Sequence, residues 1–388
     1  MARFSVFALL AVPWLLLTGV ASADAVNDLE KKGRPQIDAA LAKSKTCTKA
    51  NLKVRREWGD ISAAEKKAYI SAMLCLMEKP SKLDRAKFPG AKTRYEDFVV
   101  VHMNQTMSIH NTGSFLSWHR YYLWAFEEAL KNECGYTGSH PYWDWGRWAA
   151  DPEKSPIFDG SDTSLSGNGK KTNHRASMFA PAGNGGGCVE TGPFKNMTVR
   201  LGPLSPAIDP APPANPRADG YGDNPRCLRR DISNYLTMSS GKTQDIVNLI
   251  NNSKDVLTFQ NVMQGGPGGG GGGFGGGFGG GGAAANVGVH AAGHFTIGGD
   301  PGGDFYTSPN DPAFWVHHGM IDRTWTIWQS QDYEKRVNAI AGGTSMMGFG
   351  GRQQSLDDLI DLGVVGNKVY KIRELNSVVD GPFCYVYE

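Results

Sequence analysis

Apolar positions recur at three- and four-residue steps in several stretches of the chain, and each such stretch predicts a helix. From Lys45 to Lys79 the pattern is helical. Ser62 reads as an N-cap, with Glu65 three residues on completing a capping box. Tyr69, Ile70, Met73, Leu74 and Met77 follow at helical spacing. Residues 94–106 and 114–133 read as two more helices, the second striped by Phe115, Trp118, Tyr122, Phe126 and Leu130. Helical spacing returns at 242–263, 284–296 and 314–331. Residues 135–230 are rich in Gly, Pro, Asn and Asp and predict long ordered loops, of a length that is often functional or pinned by cross-links. Residues 265–282 are nearly all glycine and predict a flexible loop, because such a run buries too little surface to offset its ordering entropy. No Lys-Ser/Thr follows it, which excludes a phosphate-binding loop. The expected fold is mainly α, a single domain with long loops and few strands.

The first 23 residues stand apart. Arg3, an apolar run and the small-residue site Ala21-Ser22-Ala23 predict a secretory signal peptide, leaving 24–388 as the folded domain of a secreted protein. No later stretch is apolar and long enough to cross a bilayer. Cys47, Cys75, Cys134, Cys188, Cys227 and Cys384 give an even count, which in an exported chain predicts three disulfides with the pairing open. Cys188 and Cys227 could pin the loop region, and a bridge from Cys384 would tie down the C-terminal segment. None has CxxC spacing, which argues against a zinc or redox site. Asn104, Asn196 and Asn251 head sequons that agree with export. A formal net charge of +2 gives no sign of a nucleic-acid or membrane-surface partner.

Seven of the nine histidines fall into two groups: His102, His110 and His119, then His290, His294 and the pair His317-His318. Spacing of four puts His290 and His294 on one face of a helix, as a pair aimed at one metal requires. His119 and His318 each sit in a helix dense in aromatics. Metal sites in helical bundles are assembled this way, from side chains on facing helices. Calcium and magnesium take oxygen ligands and structural zinc usually takes some thiolate, whereas imidazoles alone suit copper, zinc or iron, copper most tightly. Two groups in one domain predict a dinuclear centre.

The motifs then become specific. H-N-T-G-S-F-L-S-W-H-R (110–120) resembles the first copper motif of the tyrosinase and catechol oxidase family. S-P-N-D-P-A-F-W-V-H-H-G-M-I-D-R-T-W-T-I-W-Q (308–329) resembles the second, V-H-A-A-G-H (289–294) the helix between, P-Y-W-D-W (141–145) a further motif, and Y-V-Y (385–387) the one that ends the catalytic core. Length and spacing are most similar to short, secreted fungal catechol oxidases and polyphenol oxidases. The resemblance implies a four-helix bundle holding two copper ions, with His102, His110 and His119 on one and His290, His294 and His318 on the other. It implies a phenolic small molecule and O2 as partners. His317 is then expected behind the ligands, donating a hydrogen bond. Asp322 is expected to orient an imidazole or pair with Arg323, Asp311 to cap the last helix with Pro312 at its first position, Arg55 or Arg56 to meet the tyrosine motif, and Phe305 to stand as a gate over the pocket. His140 and His174, in polar loops, receive no role.

Departures from the family pattern bear on specificity. Where several members carry a glutamate that helps deprotonate monophenols, this chain has Asn286 and Val287. Ala291 stands where some monophenol hydroxylases have asparagine. Both weaken the case for a general base. Ser108 occupies the position of a cysteine that in some members forms a thioether to a histidine. The chain stops after the tyrosine motif, so no C-terminal covering domain is expected. The resemblance thus implies a dicopper oxidase converting o-diphenols to o-quinones, with weak or no monophenol hydroxylation. The alternatives are a tyrosinase-type monooxygenase, an o-aminophenol oxidase, and a haemocyanin-like oxygen carrier, against which the single-domain length speaks.

Overall fold

A computed structural model describes residues 21–175, 177, 180–265, 287–346 and 351–388. Residues 1–20 of the expected signal peptide, 266–282 of the glycine run, and Asn286 lie outside these. The helices, in chain order, are α1 (Ala21–Leu41), α2 (Ala63–Glu78), α3 (Arg94–Ile109), α4 (Phe115–Cys134), α5 (Tyr235–Ser240), α6 (Thr243–Asn252), α7 (Val256–Gln264), α8 (Gly288–Ile297) and α9 (Ala313–Ser330). Strands are short and pair only in twos among the described residues.

Local chemistry accounts for most boundaries. Ser62 and Glu65 form the anticipated capping box of α2, and Thr93 and Glu96 form another at α3, each satisfying orphan backbone N–H groups. Gly135 ends α4 in the left-handed region (φ 70°), where a side chain is costly. Asp255 breaks the expected 242–263 helix in two, because its carboxylate accepts the Thr258 N–H and starts α7 afresh. Asp311 Oδ1 accepts the Ala313 N–H at 2.8 Å and Pro312 already has helical dihedrals, so the expected cap for α9 is in place.

The start of the first expected helix differs from expectation. The stretch expected as helix from Lys45 begins one only at Ala63. Lys53–Arg55 instead forms a strand, parallel to Tyr385–Tyr387 at the far end of the chain, and Trp58–Asp60 makes a single 3-10 turn. That pairing satisfies backbone groups with a partner more than 300 residues away, which local periodicity does not reveal. Conversely, α1, not expected from the sequence, has a proline at position 35 yet buries Val26, Ile37 and Leu41 where it packs on α6 and α9. All six cysteines pair, as Cys47–Cys384, Cys75–Cys134 and Cys188–Cys227. The first clasps the two ends of the folded body, and the last pins the irregular 135–230 region.

α9 is buried along its whole length. It packs on α4 and α8, and α3 packs on α4. These four helices surround the interior in which both histidine groups lie.

Candidate metal centre

α3 carries His102 and delivers His110 at its C-cap; α4 carries His119. α8 carries His290 and His294, and α9 carries His317 and His318. The ligand-capable nitrogens within each group lie no more than 4.8 Å apart, and the second group includes His317. The groups abut: the His119 and His318 rings stack at 4.6 Å, and His110 and His290 lie 5.9 Å apart.

Backbone carbonyls set the ring orientations. His102 Nδ1 lies 2.8 Å from the Tyr306 carbonyl, His110 Nδ1 2.9 Å from that of Thr106, and His119 Nδ1 2.8 Å from that of Phe115. A carbonyl can only accept, so each Nδ1 carries the proton and each Nε2 keeps its lone pair. Nε2 of His102, His119 and His290 is buried with no hydrogen-bond partner. His294 Nε2 and His318 Nε2 face each other at 3.1 Å. Burial keeps all six rings neutral. It pulls His110 down to about 4, against the Thr106 hydrogen bond, and His294 down to about 3. Burial and then neighbouring imidazoles hold His102, His119, His290 and His318 well below the ordinary histidine range. Converging neutral imidazoles with orphaned lone pairs are a donor set for a borderline-soft cation.

A small pocket opens on this centre. Its walls are His110, His290, His294, Phe295, Gly302, Gly303, Asp304, Phe305 and Ser308. The Phe305 ring lies 4.7 Å from that of His110, half-buried at the pocket. Ala291 is not in this wall; it packs behind it in an apolar cluster with Leu236, Ala292 and the wall residue Phe295. Val287 precedes α8 and packs beside that same cluster.

Several expectations are corrected here. Asp322 neither orients an imidazole nor pairs with Arg323. It is buried and accepts from Arg120 Nε (2.6 Å), the Tyr385 and Tyr387 hydroxyls (2.7 and 2.6 Å) and Arg55 (3.4 Å). Arg323 turns to Glu30 and Asn27 of α1. Arg55, stacked 3.6 Å over the Tyr385 ring, is the arginine of the tyrosine motif, and Arg56 pairs with the exposed Glu388. His140 lies in irregular backbone as expected but is fully buried, with Nε2 on the Trp315 carbonyl at 2.9 Å. His174 pairs with Asp231 at 2.7 Å. His317 receives a hydrogen bond from Trp145 Nε1 at 3.0 Å, and its ring also has the His290 backbone as a hydrogen-bond partner, in keeping with the donor role expected of it.

Asp304 went unnoticed in the sequence. Its two oxygens accept four backbone N–H groups, from Leu204, Ser205, Tyr306 and Thr307, fixing the loop that presents Phe305 and the Tyr306 carbonyl. An aspartate bonding N–H groups two and three residues on is the Asx-turn pattern, so D-F-Y-T held a usable signal.

Comparison with known proteins identifies the class and then the family. The chain is 36% identical to a polyphenol oxidase variant from Thermothelomyces thermophila of known structure, covering 94% of this chain and 98% of that one with a TM-score of 0.84. It is 38% identical over 347 residues to Tyrosinase P of Aspergillus terreus (86% of this chain, 91% of that protein). It is 34% identical over 372 residues to an N-acetyl-6-hydroxytryptophan oxidase of Emericella nidulans (91% and 96%). Residues 92–331 match the common central domain of tyrosinase. The chain belongs to the tyrosinase family. Its cofactor is the dinuclear copper centre of that family, and the all-imidazole donor set fits it. It is a copper oxidoreductase of that family.

Proposed function

We propose that this chain oxidises o-diphenols to o-quinones with little hydroxylation of monophenols. His102, His110 and His119 hold one copper; His290, His294 and His318 hold the other. Copper bound there would supply the electron transfer by which two diphenols become quinones as one O2 is reduced to two waters. The protein's part is geometric. Carbonyl-bonded Nδ1 atoms lock the rings, the aromatic interior excludes water, and Phe305 offers a face for the phenol beside His110.

The observation carrying this choice is the state of Asp304, the one carboxylate among the described residues of the pocket wall. Asp304 has both oxygens occupied by four backbone N–H groups, leaving no lone pair directed at substrate. No Asp or Glu occurs between Asp255 and His290, so α8 and the segment before it bring no alternative base. A monophenol must lose its proton before oxygenation; a diphenol already carries both oxygens.

The test is quinone absorbance from copper-loaded protein with 4-tert-butylcatechol and with tyrosine in parallel. Catechol turnover with little on tyrosine is expected. Oxidation of neither removes the assignment, and brisk tyrosine turnover overturns the argument from Asp304, Asn286 and Ala291. A second reading, that the natural ring is a nitrogen-bearing hydroxyarene, is favoured by the relative that is an N-acetyl-6-hydroxytryptophan oxidase. That compound and 2-aminophenol in the same assay separate the two. The chain is further proposed to be secreted. Three disulfides suit an oxidising compartment, and Asn104, Asn196 and Asn251 are all exposed for glycosylation. No described helix is long and apolar enough to cross a membrane.

A further inference from the structure

The second histidine group holds one imidazole more than a three-ligand copper uses. His317 and His318 are adjacent, both buried, and both within 4.8 Å of His290 and His294 by their ligand-capable nitrogens. What distinguishes them is the partner at Nδ1. The Trp145 indole donates to His317 Nδ1 at 3.0 Å. An indole N–H is a donor only, so His317 Nδ1 must be the lone-pair nitrogen. The single proton of the neutral ring then sits on Nε2, and the His290 backbone is the ring's second hydrogen-bond partner. One nitrogen is engaged and the other protonated, so His317 has no lone pair for a metal. His318 carries no such clamp: its Nδ1 is free of partners, and its Nε2 meets that of His294.

Packing holds the clamp in register. Trp145 is buried, and its ring lies 5.3 Å from that of His317. On the other side, His317 lies directly against the backbone of α8 at Gly293. A methyl group there would overlap Cε1 and Nδ1 of the ring, so only glycine admits this approach.

We propose that Trp145 is a positioning residue of the copper centre: its indole N–H fixes the Nε2-protonated tautomer of His317 and thereby assigns the second copper to His318. This rests on the dicopper reading. It gives a task to the last tryptophan of P-Y-W-D-W, and it explains from hydrogen bonding alone which of two neighbouring histidines is the ligand.

The test is 15N NMR of histidine-labelled, full-length protein, both metal-free and loaded with diamagnetic copper(I), with His317→Gln identifying the resonances. The wild type is expected to show a protonated Nε2 and an unprotonated Nδ1 at His317 in both forms. Trp145→Phe keeps the ring but deletes the donor. It is expected to shift His317 towards the Nδ1-protonated tautomer, freeing Nε2 to compete with His318 and changing the copper(I)-form spectrum of both residues. A protonated Nδ1 in the wild type, or unchanged His317 resonances in Trp145→Phe, overturns the proposal. If Trp145→Phe does not fold, the wild-type spectrum decides by itself. Failure of the dicopper reading shows separately, as absence of copper by metal analysis, and leaves the metal-free tautomer measurement intact.

Discussion

Glu57 is a carboxylate in the wrong surroundings, and exchanging it for glutamine should change how stability depends on pH. Its side chain has no exposed surface, and Oε1 has no hydrogen-bond partner. Oε2 accepts from the Gly59 N–H and, at 3.4 Å, from Arg147. Burial drives the carboxyl up to about 7 from an ordinary 4.5; Arg147 and the Gly59 N–H oppose this, while Asp144 and Asp60 add to it. Below the unfolded value both states are protonated and nothing is lost. As pH rises between the two values the unfolded chain ionises first, so stability falls. Above about 7 the loss levels off at about 3 kcal/mol. Glutamine does not titrate. The stability of Glu57→Gln relative to wild type should therefore climb by about 3 kcal/mol between about pH 4 and pH 8, whatever fixed offset the amide introduces. Urea denaturation of both proteins at closely spaced pH values measures this. A difference that stays flat within about 1 kcal/mol, or that moves the other way, refutes the reasoning.

Asp322→Asn leaves Arg120 buried without its counter-charge and Arg55 with Glu127 alone, and should cost about 3–5 kcal/mol, lowering Tm by about 5 °C in calorimetry. Arg120, Arg55 and the two tyrosine hydroxyls outweigh burial and hold the Asp322 carboxyl below its usual range, so the difference should be full at neutral pH and close only in strong acid. Removing the Cys47–Cys384 bridge, which spans 337 residues, with serine at both positions should lower denaturant stability by about 4–5 kcal/mol. Asp304→Asn turns an amide donor towards N–H groups now accepted by a carboxylate. It should cost about 2 kcal/mol, and with the Tyr306 carbonyl loosened behind His102, copper should be stripped faster in competition with a chelator.

The helices bearing histidines were legible because long aromatic stripes at helical spacing are strong local signals, and because seven histidines in two groups leave few uses besides metal. Ring tautomers were not legible. They depend on the carbonyls of Tyr306, Thr106 and Phe115 and on Trp145, none of which announces itself by spacing. Asp322 was misjudged because sequence adjacency suggested Arg323. On α9 neighbouring side chains point about 100° apart, so the two residues face different layers, one towards α4 and the other towards α1. The strand Lys53–Arg55 was hidden for a related reason: its pattern is completed by residues at the opposite end of the chain. His140 looked solvent-facing amid polar neighbours, yet its carbonyl contact with Trp315 takes it into the core.

Asp322 joins three separate parts of the polypeptide: Arg55 near the start, Arg120 beside a proposed copper ligand, and the two tyrosines at the end. A lone substitution at any of these strands charge or hydroxyl groups on the other segments, and no one further change repairs them all. The surrounding sequence can therefore drift only by concerted replacement. Segments hundreds of residues apart thus depend on one carboxylate in the interior.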